Sequence, residues 1–357
     1  MFNRYFAFLL FIMFTIYPTF VLAEHGGGHP FFGAAIEGLS VSEELILQIE
    51  NETIAPAHII LLYLQWPEDA QKSSFTGREL FPKKTLSSIW DNGCLPVLTW
   101  EPFINEKGKE VMISFDDIVK GKYDAYINYM AKESASFEHP FIMRFAHEMN
   151  IIRYHWGTDA AGFGPGTPEK YIMAFRYVVT AFRKAEAKNV IFAFCPNAEN
   201  VPDFSYDKTA EWNRITAYYP GDGFVDVLGF DGYNWGNTRI PEKHGWRSYW
   251  RSFMDMMGPA YKTLKEINPE KPVMVFETAT APTGGDKSVW INDMMKTAKE
   301  WDLKAVIWFQ VKKEVDWRFQ TGLNRNKLKF HTIQNREVAK EWAEEFVRNK
   351  NNINQEN

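Results

Sequence analysis

Short apolar runs recur along the chain, and between them lie longer segments in which apolar residues have helical spacing. In the first of these longer segments, for example, Leu45, Ile46 and Ile49 share one helical face. The apolar runs predict strands at residues 31–38, 58–66, 95–100, 141–143, 190–194, 225–230, 273–276 and 305–309. Strands that are apolar throughout, rather than at alternate positions, are typical of a parallel sheet buried on both faces. Eight strand–helix units therefore predict an α/β fold, a single (β/α)8 TIM barrel.

The first 23 residues have the pattern of a secretory signal peptide. Arg4 precedes an apolar segment at 6–16, and Val21-Leu22-Ala23 supplies small residues before a cleavage point. The apolar segment is shorter than the ~20 residues that span a bilayer, which favours a cleaved leader over an uncleaved membrane anchor. We therefore expect a secreted or periplasmic protein with no stable membrane insertion, and membrane tethering is the alternative.

The rest of the chain is predicted to contain one large domain. A flexible linker is expected at 24–30, the barrel domain at 31–348 with its last helix at 336–348, and a disordered tail at 349–357. The two cysteines, Cys94 and Cys195, would lie at opposite ends of different strands, too far apart for a disulfide. We therefore expect two buried free thiols.

The composition excludes one class of partner and suggests another. A formal net charge of -5 provides no basic surface for nucleic acid. The chain contains 13 Trp, 15 Tyr and 29 Phe, more than a core alone normally needs. Most of these aromatic side chains must still fill the core, but exposed aromatic faces also bind the C–H faces of sugars. The aromatic content therefore favours a carbohydrate ligand.

Polar side chains are concentrated where the predicted strands end, which is the face of a (β/α)8 barrel that carries the active site. The fourth strand leads into Arg144, His147, Glu148 and Asn150, and the seventh ends in Glu277. The other strand ends bring further polar and aromatic residues to this rim: Glu37, Gln65, Trp66, Trp100, Glu101, Asn197, Asp231, Tyr233, Trp235, Trp308 and Gln310. A charge placed directly after an apolar strand is costly without a partner or a purpose. Glu148 and Glu277 are therefore candidate functional residues.

Two carboxyl groups that face each other across a sugar are suited to cleaving a glycosidic bond. Glu148 would donate a proton to the leaving oxygen, because burial and a neighbouring carboxylate would keep it protonated. Glu277 would be the ionised nucleophile, held in the charged form by hydrogen bonds from Arg144 and Tyr233. Carboxyl groups ~5–5.5 Å apart would predict retention of the anomeric configuration, whereas a gap near ~8 Å would indicate inversion or no shared site.

Other catalytic motifs are not matched. His147-Glu148 begins like the zinc-binding HExxH helix, but position 151 is Ile and the segment is predicted as strand and loop. The chain has no GxSxG, no GxxxxGK[ST] and no GxGxxG after the first strand. We therefore expect no metal and no cofactor, and we expect His147 and Asn150 to bind sugar hydroxyls.

The run Arg144-Phe-Ala-His-Glu-Met-Asn150, followed by Trp156-Gly157, resembles the acid/base signature of glycoside hydrolase family 26, which is RPFHEMNG with a downstream WG. Further segments are similar to the family's other landmarks in the same order: Phe115-Asp-Asp-Ile, Gly121-Lys-Tyr-Asp124, Gly232-Tyr-Asn-Trp235 and Glu277. The resemblance extends over residues 30–345. It implies a retaining (β/α)8 enzyme with its acid/base on strand four and its nucleophile on strand seven.

The resemblance also implies a role for each matching residue. Glu148 would be the acid/base and Glu277 the nucleophile, with Tyr233 as the nucleophile's hydrogen-bond partner. The remaining matches would be two supports, His147 and Arg144, and two sugar platforms, Trp156 and Trp308. The strand ends add further candidates for substrate contact: Trp100, Glu101 and Trp235.

Some positions depart from the family pattern. Phe145-Ala146 replaces Pro-Phe, Ile151 replaces Gly, and Thr278-Ala279 follows the nucleophile where mannanases have an aromatic residue and Gly. The chemistry is unaffected, but the substrate is left open. We place β-1,4-mannan slightly ahead of mixed-linkage β-1,3-1,4-glucan and a bacterial exopolysaccharide. Transglycosylation by the same residues is an alternative, as is a non-catalytic glycan-binding barrel, although such a barrel would not need both glutamates.

Overall fold

The protein is described by a computed structural model that covers residues 28–75 and 77–356. The predicted signal peptide at 1–23 and the first part of the linker lie outside these residues. The main sheet contains eight strands: β1 (Phe31–Ala35), β2 (Ile59–Gln65), β3 (Leu95–Glu101), β6 (Phe141–Phe145), β7 (Val190–Phe194), β8 (Val227–Asn234), β9 (Val273–Thr280) and β10 (Ala305–Phe309). Two more strands, β4 (Phe103–Glu106) and β5 (Lys109–Met112), form a separate hairpin.

The eight strands are parallel and close into a barrel in which β1 pairs with both β2 and β10. Helices follow the strands: α1 (Glu43–Thr53), α2 (Lys83–Asp91), α3 (Phe115–Val119), α4 (Asp124–Phe137), α5 (Thr167–Lys184), α6 (Pro241–His244), α7 (Phe253–Ile267), α8 (Lys287–Glu300) and α9 (Val338–Glu356). Local sequence sets the start of several of them, since Ser42 accepts a hydrogen bond from Leu45 N and Asp286 caps α8. The predicted (β/α)8 barrel is confirmed.

The last helix covers the end of the barrel opposite to the predicted site. Trp342 packs against Phe31 at the start of β1, with ring centroids 6.1 Å apart, and Lys350 Nζ donates to Val190 O at the start of β7 (3.0 Å). The helix continues to Glu356, whereas the sequence predicted an end at Arg348 and a disordered tail. No Gly or Pro occurs between residues 338 and 356 to stop it.

Two other elements differ from the predicted pattern. The helix expected at 116–133 is divided into α3 and α4 at Gly121, whose φ of +82° ends the first helix. The hairpin β4–β5 was not predicted, and its turn is formed by Lys107 (φ +53°) and Gly108 (φ +82°). This hairpin directly follows β3 and therefore lies beside the site.

Both cysteines are free and buried, as predicted. Cys94 directly precedes β3 and Cys195 directly follows β7, so they lie near opposite ends of the barrel. Burial raises the pKa of the Cys94 thiol to about 12 and raises that of Cys195 as well. Thiols in such surroundings are inert.

Candidate active site

The two candidate glutamates lie at the same end of the barrel, and both are buried. Glu277 is in the middle of β9, directly opposite Asp231 of β8, where a bulge after Phe230 shifts the register. Glu148 follows β6 in a tight turn in which both Ala146 (φ +47°) and Glu148 (φ +50°) have left-handed backbone. Such conformations are uncommon for residues other than Gly and are often found at functional sites.

Arg144 is the centre of a buried ion-pair network. Its Nη1 donates to Asp231 Oδ2 (2.6 Å), its Nη2 donates to Glu277 Oε1, and its Nε donates to Thr99 Oγ1 (2.9 Å). Tyr233 Oη donates to the other carboxylate oxygen of Glu277. The two hydrogen bonds expected for Glu277 are therefore both present. From the sequence, Asp231 was predicted only to lie at a strand end, and its pairing with Arg144 was not predicted.

Glu148 has surroundings that favour the protonated form. Burial, followed by the nearby charge of Glu277, raises the pKa of Glu148 to about 7. One hydrogen bond opposes this effect, because Asn197 Nδ2 donates to Glu148 Oε1 (2.6 Å). No role was predicted for Asn197 from the sequence. Its position just after the strand β7 is the feature from which a role in the site could have been predicted. A carboxylic acid with this pKa can still donate a proton near neutral pH.

Asn150 does not face the site, which corrects its predicted role in binding sugar hydroxyls. Its side chain is fully buried and donates to Asn197 O (2.9 Å) and to Asn200 Oδ1 (2.9 Å). It also accepts a hydrogen bond from Asn197 N (2.8 Å). Asn150 therefore fixes the loop that presents Asn197 to Glu148.

His147 is buried and lies beside the nucleophile candidate. Its Nε2 is 3.9 Å from Glu277 Oε1, and neither ring nitrogen has a hydrogen-bond partner among the described residues. Burial and the charge of Arg144 hold the pKa of His147 well below its usual range, so the ring is neutral. A neutral imidazole can both donate and accept a hydrogen bond. Its role as a ligand of sugar hydroxyls stays a prediction.

Three of the four predicted tryptophan contacts are corrected by burial. Trp100 and Trp308 are fully buried and point outward from the barrel, where Trp100 contacts Tyr126 of α4 and Trp308 contacts Trp290 of α8. Trp156 is also buried, and its Nε1 donates to His147 O. None of the three rings therefore has an exposed face on which a sugar could stack.

The fourth tryptophan, Trp235, is half-buried and remains a candidate for substrate contact. The guanidinium of Arg239 lies 4.4 Å from its ring centroid, and the exposed Trp246 meets it edge to face at 5.6 Å. Glu37, by contrast, is exposed and forms an ion pair with Lys313 (3.3 Å) rather than with the residues that surround Glu277. The expectation that residues at the strand ends form the site therefore predicted more residues than the site contains.

Glu101 adds a fourth buried carboxyl group to the site. Burial, followed by the charge of Glu277, raises the pKa of Glu101 to about 8. Tyr63 of β2 is a site residue that the sequence did not single out. Its ring centroid is 5.9 Å from the Arg144 guanidinium, and its hydroxyl has no hydrogen-bond partner among the described residues. The signal for Tyr63 was its position near the end of the second strand.

The cluster could also be considered as a metal centre. Ligand atoms of His147, Asp231 and Glu277 lie within 4.8 Å of one another. Arg144, however, already donates to both carboxylates. A divalent cation among these groups would lie beside a fixed, buried positive charge, which is unfavourable. The side chains therefore fit an ion-pair network better than a metal site.

Comparison with known proteins identifies the family. The model of glycosyl hydrolase family 26 matches residues 106–255, which include Arg144, Glu148 and Tyr233. Endoglucanase H of Acetivibrio thermocellus is 35% identical over 289 residues, which make up 80% of this chain and 28% of that protein. The chain belongs to glycosyl hydrolase family 26. It spans less than a third of the length of Endoglucanase H.

Two further proteins are similar to this chain, one in sequence and one in structure. Mannan endo-1,4-beta-mannosidase of Bifidobacterium adolescentis is 33% identical over 105 residues, which are 29% of this chain and 9% of that protein. The solved structure of the Bacillus subtilis mannanase BCman superposes with a TM-score of 0.57 and 17% identity, covering 84% of this chain and 86% of that one. At this identity, the structural similarity supports the barrel fold alone. No helix in the described part of the chain is long and apolar enough to cross a bilayer.

Proposed function

We propose that the protein is an endo-acting β-glycoside hydrolase that cleaves a β-linked polysaccharide with retention of configuration. Glu148 is the acid/base and Glu277 the nucleophile. The observation that carries the proposal is the opposite environment of the two carboxyl groups. Burial and the charge of Glu277 raise the pKa of Glu148 to about 7, whereas Glu277 accepts hydrogen bonds from Arg144 and Tyr233. Paired carboxyl groups in contrasting environments are typical of an acid and a nucleophile.

The same electrostatics support a two-step reaction. In the first step Glu277 attacks the anomeric carbon while Glu148 transfers its proton to the leaving oxygen. Once Glu277 is esterified it no longer carries a charge, so one of the two causes of the raised Glu148 pKa disappears. Glu148 then becomes a better match for its second task, which is to accept a proton from the incoming water.

Unpaired polar atoms around Glu277 support a polar ligand with many hydroxyl groups. In the described part of the chain, the buried atoms without a hydrogen-bond partner include Tyr63 Oη and both His147 nitrogens. Both residues lie beside Glu277. Leaving a buried polar group unpaired costs free energy, on the order of 1–3 kcal/mol. Sugar hydroxyls would supply the missing partners.

Within this class we propose a neutral polysaccharide and now place β-glucan ahead of β-1,4-mannan. The match to a protein named as an endoglucanase covers 80% of the chain, whereas the match to the mannosidase covers 29%. This order reverses the one proposed from the sequence. A neutral substrate is favoured because the carboxylates of Asp231 and Glu277 are paired with only one buried guanidinium, that of Arg144, which leaves the site with no positive charge to spare for an anionic polymer.

The test is a screen of the purified protein against lichenan, mannan, xylan and native exopolysaccharide, with products sized by chromatography and their anomeric configuration followed by NMR. We expect internal cleavage of at least one β-linked polymer with retention. Glu277→Ala should reduce turnover by at least about 10³-fold while oligosaccharide binding persists. Glu37→Ala, at another strand end but outside the network, is the matched control. Turnover that survives in Glu277→Ala would refute the assignment.

A further inference from the structure

The hairpin β4–β5 contacts the segment that follows Glu148 at two points. On one strand, Phe103 stacks on Trp156, with centroids 6.0 Å apart and planes at 22°. On the other strand, Glu110 accepts two hydrogen bonds from the Arg153 guanidinium, at 2.9 and 3.1 Å. The hairpin is therefore attached to both ends of the segment 153–156.

Tyr154 lies between these two points of contact, and its ring packs against three neighbours. Its ring stacks on Trp156, with centroids 4.8 Å apart and planes at 9°, and the Arg153 guanidinium lies 4.9 Å from its centroid. The imidazole of His147 is 4.7 Å away at 54°. An aromatic ring held by three neighbours loses little conformational entropy when a ligand binds to it.

The Tyr154 side chain is nevertheless available to a ligand. The residue is half-buried, and its hydroxyl makes no hydrogen bond to the described residues. Burial raises the pKa of this hydroxyl well above its usual range, and the charges of Glu148 and Glu277 add to the effect. The hydroxyl therefore remains a hydrogen-bond donor at all working pH values.

The position of Tyr154 assigns it to one side of the proposed cleavage point. It belongs to the same loop as Glu148, which would protonate the leaving oxygen. The nucleophile is flanked by different aromatic side chains, since Tyr233 donates to Glu277 and packs on Phe309 at 5.5 Å. Among the carboxyl groups of the site, Glu148 acts most strongly on the pKa of the Tyr154 hydroxyl. Because the acid protonates the oxygen of the leaving sugar, a side chain next to the acid is placed to contact that sugar.

We propose that Tyr154 binds the first sugar on the leaving-group side, and that the Arg153–Glu110 ion pair positions it there. This inference rests on the proposed function. It makes the hairpin a specificity element, because activity on glycans then depends on a residue that the hairpin holds in place. Arg153 and Glu110 are positioning residues, and Tyr154 is the residue that touches the sugar.

The experiment compares two substrates that share the glycone and differ in the leaving group. One is a β-linked oligosaccharide, and the other is the matching nitrophenyl oligosaccharide, whose leaving group is not a sugar. Tyr154→Ala should lower kcat/KM for the oligosaccharide by about tenfold or more, and that for the nitrophenyl substrate by less than about threefold. Tyr154→Phe, which keeps the ring, should show a smaller loss with the same selectivity.

The ion pair gives a second, independent arm. Both side chains of the pair are about half exposed, and pairs of this kind contribute little to stability, so Glu110→Gln should fold normally. We expect it to reproduce the selective loss on the oligosaccharide at a level of about threefold, and Glu110→Asp to restore part of it. Glu79→Gln, which breaks the exposed Lys84–Glu79 pair elsewhere on the surface, is the matched control.

Each outcome decides the inference. An equal loss on both substrates, or no loss on either in the Tyr154 variants, would overturn it while the proposed function stands. A loss in Tyr154→Ala without any in Glu110→Gln would overturn the positioning role of the ion pair. If the wild-type protein cleaves neither substrate, the proposed function fails and this inference fails with it.

Discussion

Glu148→Gln should inactivate the protein and at the same time make it more stable at neutral pH. The carboxyl group of Glu148, the proposed acid/base, is buried, and burial together with Glu277 raises its pKa from the ordinary value of 4.5 to about 7. A carboxyl group with a raised pKa in the folded state opposes folding once it must ionise. Gln has nearly the same shape as a protonated Glu and never carries the charge.

The sign and the size of the effect follow from the two pKa values. Below pH 4.5 Glu148 is protonated in both the folded and the unfolded chain, so it contributes no penalty. As the pH rises from 4.5 to 7 the unfolded chain ionises first, and the folded state is progressively disfavoured. At ~1.4 kcal/mol per pKa unit the full penalty is about 3 kcal/mol, and we expect Gln to recover about 1–3 kcal/mol.

The assay is urea unfolding of the wild type and Glu148→Gln at pH 4 and at pH 8, with kcat/KM measured on a polysaccharide at pH 6. We expect equal stabilities at pH 4 and a more stable variant at pH 8, with kcat/KM reduced by at least about 10²-fold. Glu37→Gln, an exposed glutamate on the same face, should change neither property. The electrostatic account of Glu148 would be refuted if the gain in stability of Glu148→Gln over wild type were no larger at pH 8 than at pH 4.

Two further predictions test neighbouring assignments. Asn197→Ala removes a hydrogen bond that lowers the pKa of Glu148, so the alkaline limit of kcat/KM should move upward by about half to one pH unit; an unchanged or lower limit would contradict this role. Trp100→Phe should lower the free energy of unfolding by about 1–3 kcal/mol, measured in urea, and leave KM unchanged, because Trp100 packs against Tyr126 of α4 on the outside of the barrel strands. A raised KM at unchanged stability would restore Trp100 as a sugar contact.

The buried carboxyl groups that suit this site to its proposed function also lower the stability of the fold, and the ion-pair network reduces this loss of stability. Glu101 and Glu148 both have raised pKa values, of about 8 and about 7, because they are buried near Glu277. Arg144 compensates for only part of this charge, through its bonds to Asp231 and Glu277. Under the proposed function, such a cluster is retained for catalysis rather than for folding.

The errors in the predicted site come from one physical property of the barrel. Along β3, Thr99 and Glu101 face the interior, where Thr99 bonds Arg144, and the intervening Trp100 faces the helices. The same alternation directs Trp308 of β10 outward. Because parallel barrel strands are buried on both faces, their sequences lack the apolar–polar alternation that would reveal which side chains point inward.

The sequence by itself determined the barrel, the rim at the strand ends and the two glutamates, because these depend on local patterns and on the rule that parallel strands end together. Only the tertiary structure decided which rim residues meet. It placed Asp231 beside Glu277 through a bulge, turned Asn150 away from the site and brought Asn197 to Glu148. It also packed the β4–β5 hairpin against Arg153 and Trp156. Contacts of this kind join residues far apart in the chain, and their geometry depends on backbone turns and packing that no single segment encodes.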